Sequence, residues 1–215
     1  MSHSLNEIEA MSKRAARGAG LAWGLAEEAA KGTRWLAGYG YPSTELLADL
    51  LELNDRLPAI DFSPTSLEGI WCAPAGRMSP LIAGAAMSDC AVRMRDGQVI
   101  TIEQVSQPLL IVPFASGAAL RLGVAVAVEW GDVRLTTDGK QLCVQGTRED
   151  VLAAHTDVVR CFAPAEMTTP NAPVMRAEVQ ENCWARLGAF AHRTYAPATD
   201  SSRLLGAGAG LNDND

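Results

Sequence analysis

Apolar residues recur at helical spacing along residues 4–57, and this pattern predicts three helices in series. The clearest helical pattern lies in Gly18–Leu36, where apolar residues fall on one arc of the helical wheel. Most of these side chains are small, so we expect a tightly apposed packing partner on this side of the helix. The residues of the arc are Ala22, Leu25, Ala26, Ala29, Ala30, Thr33 and Leu36.

Start and stop signals delimit the three predicted helices. Ser4 and Glu7 have the spacing of a capping box and predict the start of the first helix. Gly18 and Gly20 interrupt the pattern before the second helix, and Gly38 and Gly40 end that helix. The third helix is predicted to begin at Ser43, acting as its cap, and to close before Pro58.

Residues 67–162 change to short β-rich segments separated by turn signals. Asp96-Gly97 and Asp138-Gly139 each predict a hairpin with a two-residue loop, because both central positions favour a positive φ. The second hairpin would pair Leu135 with Leu142 and Val133 with Val144, and the first would pair Met94 with Val99 and Arg93 with Ile100.

Two further segments of this region are predicted as strands. Leu109–Phe114 is an apolar run typical of a buried strand. The second half of Leu120–Trp130 alternates, with valines on one face and Ala125 and Ala127 on the other. The alanine face leaves room for close approach, so we expect an N-terminal helix to lie against it.

The remaining pattern predicts a capping box at Thr147–Asp150 that opens a helix to His155, then a strand at Val158–Phe162. A loop at Pro164–Pro173 and a long helix at Gln180–Tyr195 follow. We therefore predict an α+β fold, with N-terminal helices and a C-terminal helix packed on a mainly antiparallel β-sheet. Residues 1–215 would form a single domain with a helical part (4–57), a β-rich core (67–162) and a C-terminal helix with a glycine-rich tail (178–215).

Composition narrows the function classes. The chain is 48% apolar, which is typical of a folded protein, and its net charge of −7 opposes a nucleic-acid binder. Its start does not resemble a signal peptide, and no apolar run approaches membrane-spanning length, so we expect a cytoplasmic protein without membrane partners. The cysteines stand singly, without Cys-x-x-Cys pairs or neighbouring histidines, which predicts reduced, mostly buried thiols and no metal site. We expect no cofactor. The cysteines are Cys72, Cys90, Cys143, Cys161 and Cys183.

The polar face of the second helix offers candidate acid–base groups. Glu27 and Glu28 would form a paired acidic site beside Arg34 and a tryptophan wall. The alternative is an ordinary solvated face, since adjacent glutamates on a helix point about 100° apart.

A second candidate group ends the last helix. His192 could serve as a general base, or bind an anion together with Arg193, Tyr195 and Arg203. It could equally complement the negative end of the helix dipole.

The glycine-rich segment Gly206–Gly210 lacks the following helix that a phosphate-binding loop requires. It is interpreted as a flexible tail, or as a tail that threads a groove on its own or a neighbouring subunit. Asn212–Asp215 carry oxygen ligands of the kind calcium prefers, but without the rest of a calcium loop.

Several segments near the two ends of the chain together resemble an uncharacterised family of bacterial proteins, known only as a domain of unknown function. The resemblance covers nearly the whole chain and implies a bacterial, cytoplasmic origin. It implies no reaction, cofactor or catalytic residue. The segments are Asn6–Glu9, Ala15–Gly20, Trp23–Ala29, Arg34–Leu36, His192–Ala198, Ser202-Arg203 and Gly206–Asp215.

Two functional hypotheses follow. The first is a small-molecule-binding protein or enzyme that acts on an anionic metabolite, with Glu27, Glu28 or His192 as acid or base and the arginines binding substrate. The second is a non-catalytic accessory or assembly protein whose glycine-rich C-terminal tail docks a partner or neighbouring subunit. The sheet edge, the tryptophans and the tail all favour a homodimer.

Overall fold

The computed structural model describes residues 1–195. The helices are α1 (Leu5–Gly18), α2 (Trp23–Ala37), α3 (Ser43–Leu53), α4 (Pro80–Asp89), α5 (Ala91–Arg95), α6 (Val112–Leu122), α7 (Arg148–Val151) and α8 (Glu181–His192). The strands are β1 (Ser2–Ser4), β2 (Ile70–Trp71), β3 (Ile100–Ser106), β4 (Val126–Trp130), β5 (Val133–Thr137), β6 (Leu142–Gln145), β7 (His155–Phe162) and β8 (Arg176–Glu178). Two short 3₁₀ turns lie at Ala59–Phe62 and Pro108–Ile111.

The predicted α+β class is confirmed. A six-stranded sheet has the order β2-β3-β7-β4-β5-β6, and all of its pairs are antiparallel except β2–β3. Helices α4, α5 and α6 contact this sheet, while α2 packs on α4 and α6, and α1 lies between α2 and α8. A separate pair of strands, β1 and β8, ties the start of the chain to the segment before α8. Among the helices of residues 1–195, none is long and apolar enough to cross a lipid bilayer.

The three predicted N-terminal helices are confirmed. Ser4 and Glu7 form the complete capping box of α1, with the Glu7 amide donating to Ser4 Oγ over 3.3 Å. The small arc of α2 is buried from Ala26 to Leu36, and a Cβ on Gly32 would lie 3.2 Å from Pro113 of α6. The expected tight packing partner therefore exists. Ser43 does not cap α3, because its hydroxyl donates to the Thr33 carbonyl over 2.8 Å and ties α3 to α2.

Two predicted β elements are helical. Leu109–Phe114 forms a 3₁₀ turn and the start of α6, because an apolar run without alternation does not distinguish a buried strand from a buried helix. Asp96-Gly97 ends α5 instead of turning a hairpin. The predicted pairings of Met94 with Val99 and of Arg93 with Ile100 are therefore wrong, and Ile100 pairs with Cys161 instead. Gly97 does have the positive φ of +88° that the motif indicates, but helix ends use that conformation as readily as hairpins.

The hairpin at Asp138-Gly139 is confirmed, with its register shifted by two residues. Leu135 pairs with Val144, and Thr137 with Leu142, so four residues form the loop. Asp138 Oδ1 accepts from the amides of Lys140 and Gln141 over 2.8 and 2.7 Å, which stabilises this wider turn. A shift of two residues leaves every side chain on its predicted face.

The expectation that an N-terminal helix packs on the alanine face of β4 is wrong. Val126 and Val128 belong to the core shared with α4 and α6, whereas Ala127 is buried outside that core. The N-terminal helices pack on α4 and α6 instead of on the sheet. The start of α6 lies in Leu109–Phe114, which the sequence pattern predicted as a strand, so the helix that covers the sheet was not anticipated.

The last predicted elements are present with shifted ends. The Thr147 side chain accepts from the Asp150 amide as predicted, but α7 stops at Val151 instead of reaching His155. Strand β7 begins three residues before its predicted start at Val158, and α8 lies within the predicted range 180–195.

Candidate functional site

A partly enclosed cavity of about 170 Å³ lies between the α1–α2 connection, the end of α3, the 3₁₀ turn at Ala59–Phe62 and the start of α4. Its wall is almost entirely apolar, and the only polar side chains that line it among residues 1–195 are those of Asn54 and Ser79. The large apolar residues of the wall include Leu21, Leu25, Leu50, Leu51, Phe62 and Leu81.

The connection between α1 and α2 forms one wall because α1 must end sharply there. Gly20 has a φ of +97°, a conformation that glycine adopts without steric cost. The guanidinium of Arg17 donates to the Leu21 carbonyl and lies 4.4 Å from the centre of the Trp23 ring. These contacts hold residues 19–22 against the cavity.

Three arginines hold the end of α3 at the opposite wall. Arg186 of α8 bonds Asp49 over 2.5 Å and Glu52 over 2.6 Å, and it lowers the pKa of Glu52. Arg193 binds both carboxylate oxygens of Asp55, over 2.6 and 3.1 Å. Arg77 Nη2 donates to Asn54 Oδ1 over 3.0 Å. Leu50, Leu51 and Asn54 line the cavity from this segment, and these arginine contacts fix the segment's position.

We expect Arg186→Met to lower the free energy of unfolding by about 1 kcal/mol at pH 7, since the pairs it removes are partly solvent-exposed. The pKa of Glu52 is lowered in the folded state, so this contribution is present above pH ~4 and is lost as the pH falls through the lower folded value. Urea unfolding of wild type and variant at pH 7 and near pH 2 measures both values.

The exposed Arg56→Met variant is the control and should change stability little at either pH. A difference between wild type and Arg186→Met that persists unchanged at the acid end would contradict the electrostatic explanation.

The predicted acidic residues of α2 lie in separate ion pairs. Glu27 accepts from Lys13 over 2.6 Å, which lowers its pKa, and Glu28 lies 3.0 Å from Lys31. Both glutamates are therefore bonded to lysines, and neither lines the cavity. Their catalytic role stays a prediction.

The predicted basic and aromatic residues do not form one site either. Arg34 bonds Glu9 over 3.0 Å and lines a separate open groove that includes Trp35. His192 lies edge-on to Tyr195 with ring centres 5.6 Å apart, and Tyr195 Oη accepts from Arg14 over 3.2 Å. Of the predicted residues within 1–195, the structure brings together His192 and Tyr195. Their binding roles stay predictions, and Arg203, Gly206–Gly210 and Asn212–Asp215 lie outside the described residues.

The cysteines lie where structural rather than reactive thiols are found. All five are free, and burial raises the pKa of Cys161 to about 12 and that of Cys183 to about 11. Cys72 is exposed, but its thiol lies 3.3 Å from Glu103 Oε2, and this carboxylate raises its pKa. A thiol with a raised pKa is a poor nucleophile at neutral pH.

Sequence reasoning missed the residues around the cavity. Asn54 and Arg77 belong to no motif, and the path of the segment between them is revealed only by the folded chain. One signal was available, because Ser79-Pro80 has the pattern of a helix start with proline in the first turn.

The comparisons agree with the resemblance found in the sequence. Residues 3–79 match a family described as "Protein of unknown function (DUF3726)". The C-terminal segments that also suggested the resemblance lie outside the matched residues. No curated protein matches the chain. The matched segment contains every residue of the cavity wall except Leu81 and Ile82. The first part of this chain, residues 3–79, thus matches an uncharacterised domain family, and the cavity lies mostly within that part.

Proposed function

We propose that this protein binds a small molecule whose apolar part fills the cavity between α1, α2, α3 and α4. The observation that supports this proposal is the partly enclosed apolar cavity of about 170 Å³. An engineered apolar cavity of about 150 Å³ stays dry and binds benzene, so a single ring or a branched alkyl group fits a space of this size. Cavities of this kind, apolar with a few polar groups, are typical of ligand sites.

Binding is favoured over catalysis at this place. General acid–base and nucleophilic mechanisms need titratable or activated side chains in contact with the substrate. The lining residues within 1–195 include no aspartate, glutamate, histidine, lysine, tyrosine or cysteine. Ser79 is the one hydroxyl among them, and within residues 1–195 no side chain that could act as a general base is hydrogen-bonded to it.

This proposal retains one of the two hypotheses drawn from the sequence and leaves the other as a prediction. Small-molecule binding is retained, at a different place from the predicted residues Glu27, Glu28 and His192. Docking through the tail rests on residues outside the described range and stays a prediction, as does the homodimer.

Titration with benzene, toluene and indole tests the proposal, because neutral arenes are recognised by the cavity alone. We expect saturable binding to raise the melting temperature, since a ligand that binds only the folded state stabilises it. At a hundredfold excess over Kd the stabilisation is about 2.7 kcal/mol. Ligand-detected NMR measures binding, and a thermal scan measures stability.

Leu25→Trp places a larger side chain in the cavity wall and should abolish the binding of all three arenes. Ile82→Phe is the second filling variant, useful if Leu25→Trp folds poorly. Val92→Trp, at an exposed position of α5, is the matched control and should bind like wild type. If folded wild-type protein binds none of the arenes, or if filled and control variants bind them equally, the proposal is wrong.

A further inference from the structure

We infer that the ligand of this cavity is a small carboxylate with a compact apolar body, an inference that rests on the proposed function. The apolar wall selects a ligand with an apolar body, and the polar groups at one side of the cavity select its charged group. These groups are the Ser79 hydroxyl, the start of α4, and Asn54 with Arg77 behind it.

Ser79 places a hydroxyl without a capping hydrogen bond at the cavity wall. The residue is only 4% exposed and lines the cavity. It occupies the N-cap position of α4, yet its side chain does not make the usual capping bond, and no other residue of 1–195 accepts or donates at its hydroxyl. A hydroxyl on the cavity wall can donate a hydrogen bond to a group that enters the cavity.

The start of α4 adds free amide groups beside this hydroxyl. Helix α4 is ten residues long, and its first residue, Pro80, has no N–H. The amides of Leu81 and Ile82 precede the first intrahelical bond, which runs from Ala83 to Ser79, and they have no acceptor among residues 1–195. The positive end of the helix dipole therefore lies at the cavity, where it favours an anion.

Asn54 presents its amide nitrogen as a further donor. Arg77 can only donate, so the Asn54 atom that receives its 3.0 Å bond must be the oxygen. This bond orients the Asn54 amide with its oxygen toward Arg77, and its NH₂ group can donate to a ligand.

Arg77 places a positive charge behind the wall residues Asn54 and Phe62, although it does not line the cavity itself. Its guanidinium lies 5.7 Å from the ring centre of Phe62, a wall residue, and its Nε is buried without a hydrogen bond. Within residues 1–195 no carboxylate lies in ion-pair distance of it, although the neighbouring Arg186 and Arg193 both have one. An ionised ligand would supply the missing negative charge.

Each of these groups can donate a hydrogen bond, and no acidic side chain lines the cavity within the described residues. A carboxylate accepts several donors in one plane and carries a single charge. A phosphate carries more charge and would cost more to remove from water beside an apolar wall. The class of ligand is therefore an aryl or branched-alkyl monocarboxylate.

The test compares phenylacetate with phenylacetamide, which have nearly the same shape and differ in charge. Isothermal titration of wild-type protein at pH 7 should show phenylacetate binding at least about tenfold more tightly, the value of one charged hydrogen bond. Arg77→Gln and Ser79→Ala should each weaken phenylacetate binding more than phenylacetamide binding, and so remove most of that preference. Toluene, which has no carbonyl or carboxylate oxygen, shows whether the cavity of each variant is still open.

Arg77→Lys keeps the charge and should retain part of the preference. Arg95→Gln, at an exposed arginine of α5, should retain all of it. Equal affinity for the two probes in wild type, or an unchanged preference in folded Arg77→Gln, overturns the carboxylate inference while toluene binding leaves the proposed function intact. If toluene also fails to bind, the proposed function itself is wrong.

Discussion

Gly18→Ala should lower the free energy of unfolding by about 3 kcal/mol, the upper end of what overpacking costs in a well-packed protein. A Cβ on Gly18 would lie 1.8 Å from the carbonyl oxygen of Phe190 and 2.6 Å from its carbon. The contact is with backbone, so no rotamer change relieves it, and α8 has to move away from α1. Gly18 belongs to the segment Ala15–Gly20, and this close helix crossing explains why a glycine stands there.

Gly188→Ala is the matched control because it places a methyl group on α8 itself, with nothing within 4 Å. It should leave stability unchanged or raise it by up to about 1 kcal/mol through helix propensity. Urea unfolding followed by circular dichroism measures both variants. Equal effects of the two substitutions would contradict the close crossing of α1 and α8.

Gly84→Ala should be similarly costly, again about 3 kcal/mol. Gly84 lies inside α4, and its Cβ would be 2.4 Å from Cδ2 and 2.8 Å from Cγ of the Phe114 ring. Phe114 is buried in α6, so its ring cannot swing into solvent. The substitution therefore forces α4 and α6 apart, although alanine is the better helix former.

Gly117→Ala tests whether the cost comes from this contact. Gly117 is also inside a helix, α6, and a Cβ there meets nothing within 4 Å. Its replacement should be neutral or stabilising by up to about 1 kcal/mol. For a chain of this size, the melting temperature should fall by roughly 6–12 °C in Gly84→Ala and not in Gly117→Ala. A melting temperature of Gly84→Ala at or above wild type would contradict the packing described.

The cavity shows why the candidate site was not predictable. The sequence draws attention to Glu27, Arg34 and His192 because these side chains carry chemistry, and surface ion pairs use the same residue types. The cavity is formed by leucines that any core would contain, and its polar groups come from Asn54 and Ser79. The cavity forms where several segments that are distant in sequence meet, so the pattern of residues along any one segment does not predict it.

Local signals were sufficient wherever a single element determines its own structure. The capping box at Ser4, the small arc of α2 and the turn at Asp138-Gly139 were all readable, because propensity, burial face and turn chemistry act over a few residues. The α+β class followed from the separation of helical and β-rich stretches.

Tertiary structure decided the conformation of segments that suit more than one secondary structure, because their conformation depends on the elements that pack against them. The run at Leu109–Phe114 is apolar enough for a strand or a helix, and it became helical where α6 covers the sheet and meets α2. Asp96-Gly97 likewise suits a hairpin or a helix end, and α5 before it selected the second. The sequence by itself thus determined the helices with one apolar face and the turns with strong chemistry. Burial against distant residues determined the rest, including the cavity, because the free energy of packing depends on neighbours far away in the chain.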